Sequence, residues 1–229
     1  MPTDILAATQ VRRLASATTA LPADVTPPGP KADILNVALR LFAERGYAGA
    51  SIRDIATAAG LKPASLYAHY TGKEQMLAQL IDIGHKEHCE TVHEQVARSG
   101  PEPTRQLCAY VRGHVSFHAQ FPMLALLVNH ELHALSAELV GGALQLRQQA
   151  TELLMGIVRR GQAQGRFDQA YDPWLAGAAI GAMGMRVAHW YTEHHEKSVE
   201  EIIRTYQLFA LRLLGAAREE IRDLFDENP

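Results

Sequence analysis

From Lys31 onward the apolar residues recur at the 3.6-residue period of an α-helix, and no stretch alternates with the two-residue period of a strand. Ile34, Leu35, Ala38, Leu41 and Phe42 share one helical face, and Gly46 follows where a helix commonly stops. Ser51 opens a second helix, with Asp54 placed to return the cap; Ile52, Ile55, Ala56 and Ala59 form its stripe and Gly60 ends it. Pro63 opens a short third helix, where a missing N–H costs nothing, and Leu66 and Tyr70 are its inward pair. Thr71 reads as the cap of a fourth helix with Glu74 three residues on; Met76, Leu77, Leu80, Ile81 and Gly84 point inward as it continues to about Arg98. Beyond the break at Gly100, Pro101 and Pro103, the pattern predicts further helices from about Thr104 to Gln120, Pro122 to His133, Ser136 to Gln164, Pro173 onward behind the cap Asp172, and Ser198 to Gly215. The expectation is an all-α chain of about nine helices. Pro22, Pro27, Pro28 and Pro30 mark residues 1–30 as a disordered tail, and 218–229 are expected to be a C-terminal tail.

The short second and third helices, joined by Gly60-Leu61-Lys62, carry the main chemical signal. Ala56, Ala58 and Ala59 let the two cross closely, so that the third projects its outer face in the manner of a helix entering a DNA major groove. With Leu66 and Tyr70 turned inward, Pro63, Ala64, Ser65, Ala68 and His69 lie wholly or partly outside, and Tyr67 lies at the flank within reach of a phosphate. Ser65 suits a base edge or phosphate, and Ala64 and Ala68 suit a thymine methyl. Lys62 precedes the helix, Ser51 and Arg53 open the second helix where they meet the backbone, and Lys73 at the start of the fourth makes a phosphate seat with the free N–H groups there.

The run Ala38-Leu39-Arg40-Leu41-Phe42-Ala43-Glu44-Arg45-Gly46-Tyr47, then Ser51-Ile52-Arg53-Asp54-Ile55-Ala56, Ala59-Gly60-Leu61, Leu66-Tyr67-Ala68-His69-Tyr70 and Lys73-Glu74, resembles the N-terminal domain of the TetR family over about residues 31–80. The resemblance implies an all-helical homodimer, a double-stranded DNA operator, repression relieved by a small-molecule effector, and a variable C-terminal body. The expected division is a DNA-binding domain over 31–75 and an effector-binding and dimerisation domain over 76–217. The sequence departs from the family pattern where the recognition helix usually opens with Ser or Thr, here Lys62, and where a polar or basic residue then Gly is frequent, here Pro63-Ala64. Less direct base reading follows, and more dependence on Lys62, Ser65 and DNA shape.

One head buries too little surface to bind well, so two heads on a two-fold axis, spanning half-sites about 34 Å apart or more, demand a palindromic operator. Gly177, Gly181 and Gly184 in the eighth helix permit close helix approach, and the ninth offers Ile202, Tyr206, Phe209 and Leu213. In the TetR family the last two helices pair across the dimer, so these residues are the interface candidates. The expected effector lining is drawn from helices four to eight: Tyr110, His114, Phe117 and His118; Leu124, Leu127, Val128 and Glu131; Gln148, Met155, Met183 and Trp190. The Trp190-Tyr191 pair with Ser198 opening the last helix is similar to TetR bodies that sense acyl-CoA or other lipid-like molecules; an apolar effector is favoured over a sugar.

Charge refines this picture. The formal net charge of -3 excludes wholesale coating of nucleic acid. Residues 31–75 nevertheless set Lys31, Arg40, Arg45, Arg53, Lys62 and Lys73 against Asp33, Glu44, Asp54 and Glu74, a locally basic head. Cys89 and Cys108 are in no metal or redox spacing and read as reduced thiols of a cytoplasmic protein; no secretory signal and no membrane span is expected. His114/His118 and His130/His133 have spacings that can hold zinc or nickel, but no Cys or Glu completes either pair within a turn, so no metal and no cofactor is expected. An all-helical His-lined metal-dependent enzyme and an interaction module without DNA binding remain the alternatives. No nucleophile elbow, phosphate loop or paired-carboxylate signature supports the enzyme.

Overall fold

The computed structural model describes residues 21–22 and 28–226. Most of the expected N-terminal tail, Arg12 and Arg13 included, lies outside the described residues. Among the described residues there are ten α-helices and no strand: α1 (Pro30–Gly49), α2 (Ile52–Ala58), α3 (Pro63–Tyr67), α4 (Lys73–Arg98), α5 (Pro103–Gln120) and α6 (Pro122–His130), a 3₁₀ turn (Leu132–Ala134), then α7 (Ala137–Ala163), α8 (Pro173–Trp190), α9 (Val199–Leu213) and α10 (Arg218–Asp226). The extra helix is α10, where a tail was expected. Its stripe is only Ile221, Leu224 and Phe225, too short to stand out by period. Glu219 and Glu220 in its first turn complement the helix dipole, and Ile221 is buried.

The described residues divide into two compact units: those up to 87, with 121–145 and 188–192, form one, and 88–120, 146–187 and 193–226 the other. The expected boundary after residue 75 falls inside the first unit, because Met76, Leu77, Leu80 and Ile81 of α4 are fully buried there along with the helical head.

The core of the first unit contains Ile34, Leu35, Leu39 and Phe42 of α1, Ile55 of α2 and Leu66 of α3, all fully buried. Each contributes roughly 1.5–3 kcal/mol by leaving water. Helix α6 packs against α1. It also meets α4 at Gly84, where an added Cβ stands 2.5 Å from Val128 Cγ1 and 3.0 Å from Leu124 Cγ. In the second unit α5 packs along α9, and the buried Gln207 side chain donates to the Cys108 carbonyl at 2.9 Å. Arg112 of α5 donates twice to the Glu200 carboxylate at 2.8 Å. Ser198 and Glu201 form a capping box that starts α9. Both cysteines are free, and among the described residues no helix is long and apolar enough to cross a membrane.

Two glycine substitutions in the first unit should shift stability in opposite directions. Gly84→Ala drives a methyl into Val128 and Leu124 and should cost about 1–3 kcal/mol. Gly141→Ala, in α7 with nothing within 4 Å of the new carbon, should gain about 0.5–1 kcal/mol. Urea unfolding of the two variants against wild type reads both signs.

Candidate nucleic-acid interface

The geometry of the head begins with its caps. Ser51 Oγ accepts from the Asp54 N–H at 3.1 Å, and Asp54 Oδ2 accepts from the Ser51 N–H at 2.9 Å and from its hydroxyl at 2.6 Å. That is the capping box expected of the sequence, and it holds the Asp54 carboxyl below its usual range, chiefly through the Ser51 hydroxyl. Helix α2 ends as Leu61 N–H reaches back to the Ala56 carbonyl at 2.8 Å, a closure that needs the left-handed Gly60 (φ +70°). Pro63 then sits at the first position of α3, with no side-chain cap from Lys62.

Leu66 is fully buried and Tyr70 nearly so; the Tyr70 hydroxyl donates to Gln79 Oε1 at 3.2 Å and lies 3.4 Å from the Lys31 carbonyl. Burial pushes the Tyr70 phenol above its ordinary pKa. The opposite face is open: Lys62, Pro63, Ala64, Ser65 and Ala68 are exposed, Tyr67 is 55% exposed, and His69 is half-buried. Arg53 is exposed at the start of α2.

Lys73 departs from the expected phosphate seat. Its ammonium donates to the Tyr47 carbonyl at 2.9 Å and the Ala50 carbonyl at 3.1 Å, and sits 4.2 Å from the centre of the Tyr47 ring. Two of its three donors thus fasten the α1–α2 link. The expected Thr71–Glu74 cap is also replaced. The Thr71 N–H and hydroxyl donate to Gln75 Oε1, at 2.9 and 3.1 Å, while Glu74 accepts from the Ser136 N–H at 2.8 Å ahead of α7. That bond holds the Glu74 carboxyl below its usual range. Glu131, expected in the effector lining, accepts instead from the Tyr47 N–H at 3.1 Å. It stands beside Gly46, whose left-handed backbone (φ +72°) breaks the end of α1.

The expected effector lining is divided between the two units. Leu124, Leu127 and Val128 are buried in the first unit, and Gln148 is exposed, donating to Glu152 at 2.7 Å. Trp190 stands edge-on to Tyr191, Met155 and Met183 are half-buried, and none of the expected residues lines the two clefts of about 710 Å³ that open in the second unit. Tyr110, His114, Phe117 and His118 do assemble, on the buried side of α5, together with His88 of α4. His114 Nε2 lies 2.9 Å from the Gly181 carbonyl, which can only accept, so that nitrogen carries the proton. His114 Nδ1 then accepts from His88 Nε2 at 2.7 Å, and His118 Nδ1 donates to the His114 carbonyl at 2.7 Å. The i, i+4 histidines are therefore held by hydrogen bonds. Among the described residues no three His, Cys, Asp or Glu side chains are grouped to hold a metal ion.

Gly184 and Gly177, expected at a dimer interface, are buried within the chain. A Cβ on Gly184 would collide with the His114 ring, and one on Gly177 would touch Leu154 and Met155 at 3.7–3.8 Å. Ile202 is likewise core. Gly181, Tyr206 and Leu213 are half-buried, and Phe209 is 47% exposed. The open apolar face of α8 is one that the sequence reading missed: Trp174 (59% exposed), Leu175 (63%), Ala178 and Ala182. Its only sequence trace is the i, i+4 spacing of 174, 178 and 182.

Comparison with known proteins places this geometry. The model for bacterial regulatory proteins of the tetR family matches residues 34–80, and the model for the tetracyclin repressor-like C-terminal domain matches residues 100–214, about half of the chain. The HTH-type transcriptional repressor KstR2 of Rhodococcus jostii is 28% identical over 179 residues, 78% of this chain and 87% of that protein. A crystal structure of a tetR-family regulatory protein from Rhodococcus RHA1 superposes with a TM-score of 0.75 at 27% identity, covering 83% of this chain and all of that one. AibR, solved with isovaleryl coenzyme A and operator DNA, gives a TM-score of 0.72 at 23% identity over 82% of this chain and all of that one.

Two measurements check the internal bonds. Lys73→Ala should lower stability by about 1–3 kcal/mol in urea unfolding, through loss of charged hydrogen bonds to carbonyls. Burial lowers the His114 pKa below its ordinary 6.5, opposed by the Gly181 bond. The folded imidazole therefore takes up a proton less readily than the unfolded one. Its contribution to stability is complete above pH 6.5 and is lost as pH falls below it, by at most about 1.4 kcal/mol per pH unit. His114→Gln should flatten that part of the stability–pH curve.

Proposed function

The chain belongs to the TetR family of bacterial regulatory proteins, and from that premise we propose that it is a cytoplasmic transcriptional repressor. In this reading it binds a palindromic operator as a homodimer and leaves it when a small, apolar or acyl-CoA-like effector enters the second unit. One observation carries the reading: Leu66 and Tyr70 are buried while Lys62, Ser65, Tyr67 and Ala68 of the same short segment face water. A surface helix so oriented, preceded by a basic residue and flanked by Arg53, suits the major groove.

The exposed α8 face of Trp174, Leu175, Ala178 and Ala182, with Phe209 of α9, supports the dimer. An apolar surface of this kind in water favours self-association. The aromatic side chains of Tyr110 and Phe117, buried on α5, favour an apolar effector, in keeping with a fold neighbour that holds isovaleryl coenzyme A. Helix α4 has residues in both units, so an effector that biases the second unit has a covalent path to the head.

Fluorescence anisotropy with duplex DNA from upstream of its own coding region tests the reading. Expected are salt-sensitive binding to a palindrome, uniform weakening across sequences by Tyr67→Phe, and an altered sequence preference with Ser65→Ala. Trp174→Glu and Phe209→Glu should each yield a monomer whose operator affinity falls by at least about 100-fold, since one head loses the other's effective concentration. Absence of binding to any such duplex at low salt, or a wild-type protein with the solution mass of one chain, defeats the proposal.

A further inference from the structure

The cleft between α9 and α10 is a second kind of site, and it shares no lining residue with the head or with the buried histidines of α5. It has a volume of about 710 Å³, within the range of small-molecule pockets. Four arginines surround it: Arg204 and Arg212 from α9, Arg218 and Arg222 from α10. Leu208, Ala216, Ile221 and Phe225 supply the apolar lining, and among the described residues no carboxylate takes part.

The arrangement follows from helical period. Arg204, Leu208 and Arg212 lie at i, i+4 and i+8 of α9, and Arg218, Ile221, Arg222 and Phe225 lie at i, i+3, i+4 and i+7 of α10. Each helix turns one stripe of mixed basic and apolar residues to the cleft. One end is built: Arg204 donates to the Phe225 carbonyl at 3.3 Å and stacks 4.9 Å from the Phe225 ring centre. Arg222 reaches Asp223 only at 3.8 Å, with both side chains about two-thirds exposed, which is worth little. Among the described residues Arg212 and Arg218 form no ion pair.

The adjoining cleft shows the contrast. There Arg112 is gripped twice by Glu200, and Glu201 lines the same space. Grouping four guanidinium ions around the α9–α10 cleft, with the distant Asp223 partner of Arg222 as the one counter-charge found among the described residues, costs electrostatic energy that a bound anion would offset. The guanidinium fork matches the oxygens of phosphate and carboxylate, and the Leu208–Ile221–Phe225 surface offers a place for a hydrocarbon.

We propose that the α9–α10 cleft binds an anionic amphiphile, an oxyanion head held by Arg212, Arg218 and Arg222 with its apolar body on Leu208, Ile221 and Phe225. The site needs neither the operator nor the effector reading to be right. Calorimetric titration of the full chain with octyl phosphate, inorganic phosphate and octyl glucoside tests it. Octyl phosphate should bind at least tenfold tighter than either fragment, and Arg212→Gln/Arg218→Gln should weaken it tenfold or more. Each single variant, removing one exposed charge, should weaken it severalfold, which keeps the test open if the pair fails to fold. Vesicles of phosphatidylglycerol form the membrane arm: co-sedimentation lost in the double variant identifies a lipid source, and octyl phosphate binding without co-sedimentation identifies a soluble one. Equal octyl phosphate affinity in wild type and variants, or affinity no better than that of inorganic phosphate, overturns the proposal.

Discussion

Leu66 and Tyr70 set the orientation of α3, and the function of the head depends on that orientation. A helix of five residues cannot hold itself in water, because its first turn fixes several dihedrals for one hydrogen bond. Burying Leu66 completely and Tyr70 nearly so supplies the missing stability. The Tyr70 hydroxyl bond to Gln79 gives the polar end of the ring a partner in α4. With Leu66 and Tyr70 turned inward, the rest of residues 62–68 presents its side chains to solvent. The glycine turn at Gly60 and the capping box at Ser51 fix where α2 begins and ends, so the crossing of α2 and α3 is determined before any DNA is present.

Around that wedge the first unit is fastened by groups whose partners lie far away in sequence. Glu131 bonds to the N–H of Tyr47, 84 residues away, and Glu74 to the N–H of Ser136, 62 residues away. Lys73 closes the same region by bonding the Tyr47 and Ala50 carbonyls. The link between α6 and α7 is thus attached to the head at both ends, at Tyr47 by Glu131 and at Glu74 through Ser136. A change at α6 that moved Glu131 would reach the Tyr47 backbone, and through it the lysine that holds the α1–α2 link.

What the sequence made legible was whatever is local. Helical period, the Ser51–Asp54 box, the Gly60 turn and the inward pair Leu66 and Tyr70 all involve residues within a turn or two of each other, and each is present in the structure, with Tyr70 standing three residues past the end of α3. The partners of Lys73, Glu74 and Glu131 were not legible, because a charged side chain at a helix end has the same sequence signature whether it faces a phosphate, a ligand or a distant N–H. The α8 glycines show a related limit. Small residues at 177 and 184 announce that something approaches closely, but not what. Here it is Leu154 and His114 of the same chain. The outward apolar face fell to Trp174 and Leu175, large residues at a helix start that period alone assigns to the core as readily as to the surface. The expected effector lining shows a third limit: its residues come from four helices, and period alone does not say that they are divided between two units.

The short outer face of α3 constrains how an operator is recognised. Its exposed polar groups are few, Lys62, Ser65 and the Tyr67 hydroxyl, and Pro63, Ala64 and Ala68 offer methyl or methylene contacts only. A good bidentate base contact discriminates by roughly 1–3 kcal/mol, and none of these side chains has the fork of an arginine or the paired groups of an amide. Base reading by one head is therefore shallow. In the proposed homodimer selectivity would come from elsewhere: from two heads held at a set spacing, which multiplies weak preferences, and from the cost of shaping the duplex between them. On that proposal the determinant of operator choice lies as much in the α8 face that would set the spacing as in the helix that would touch the bases.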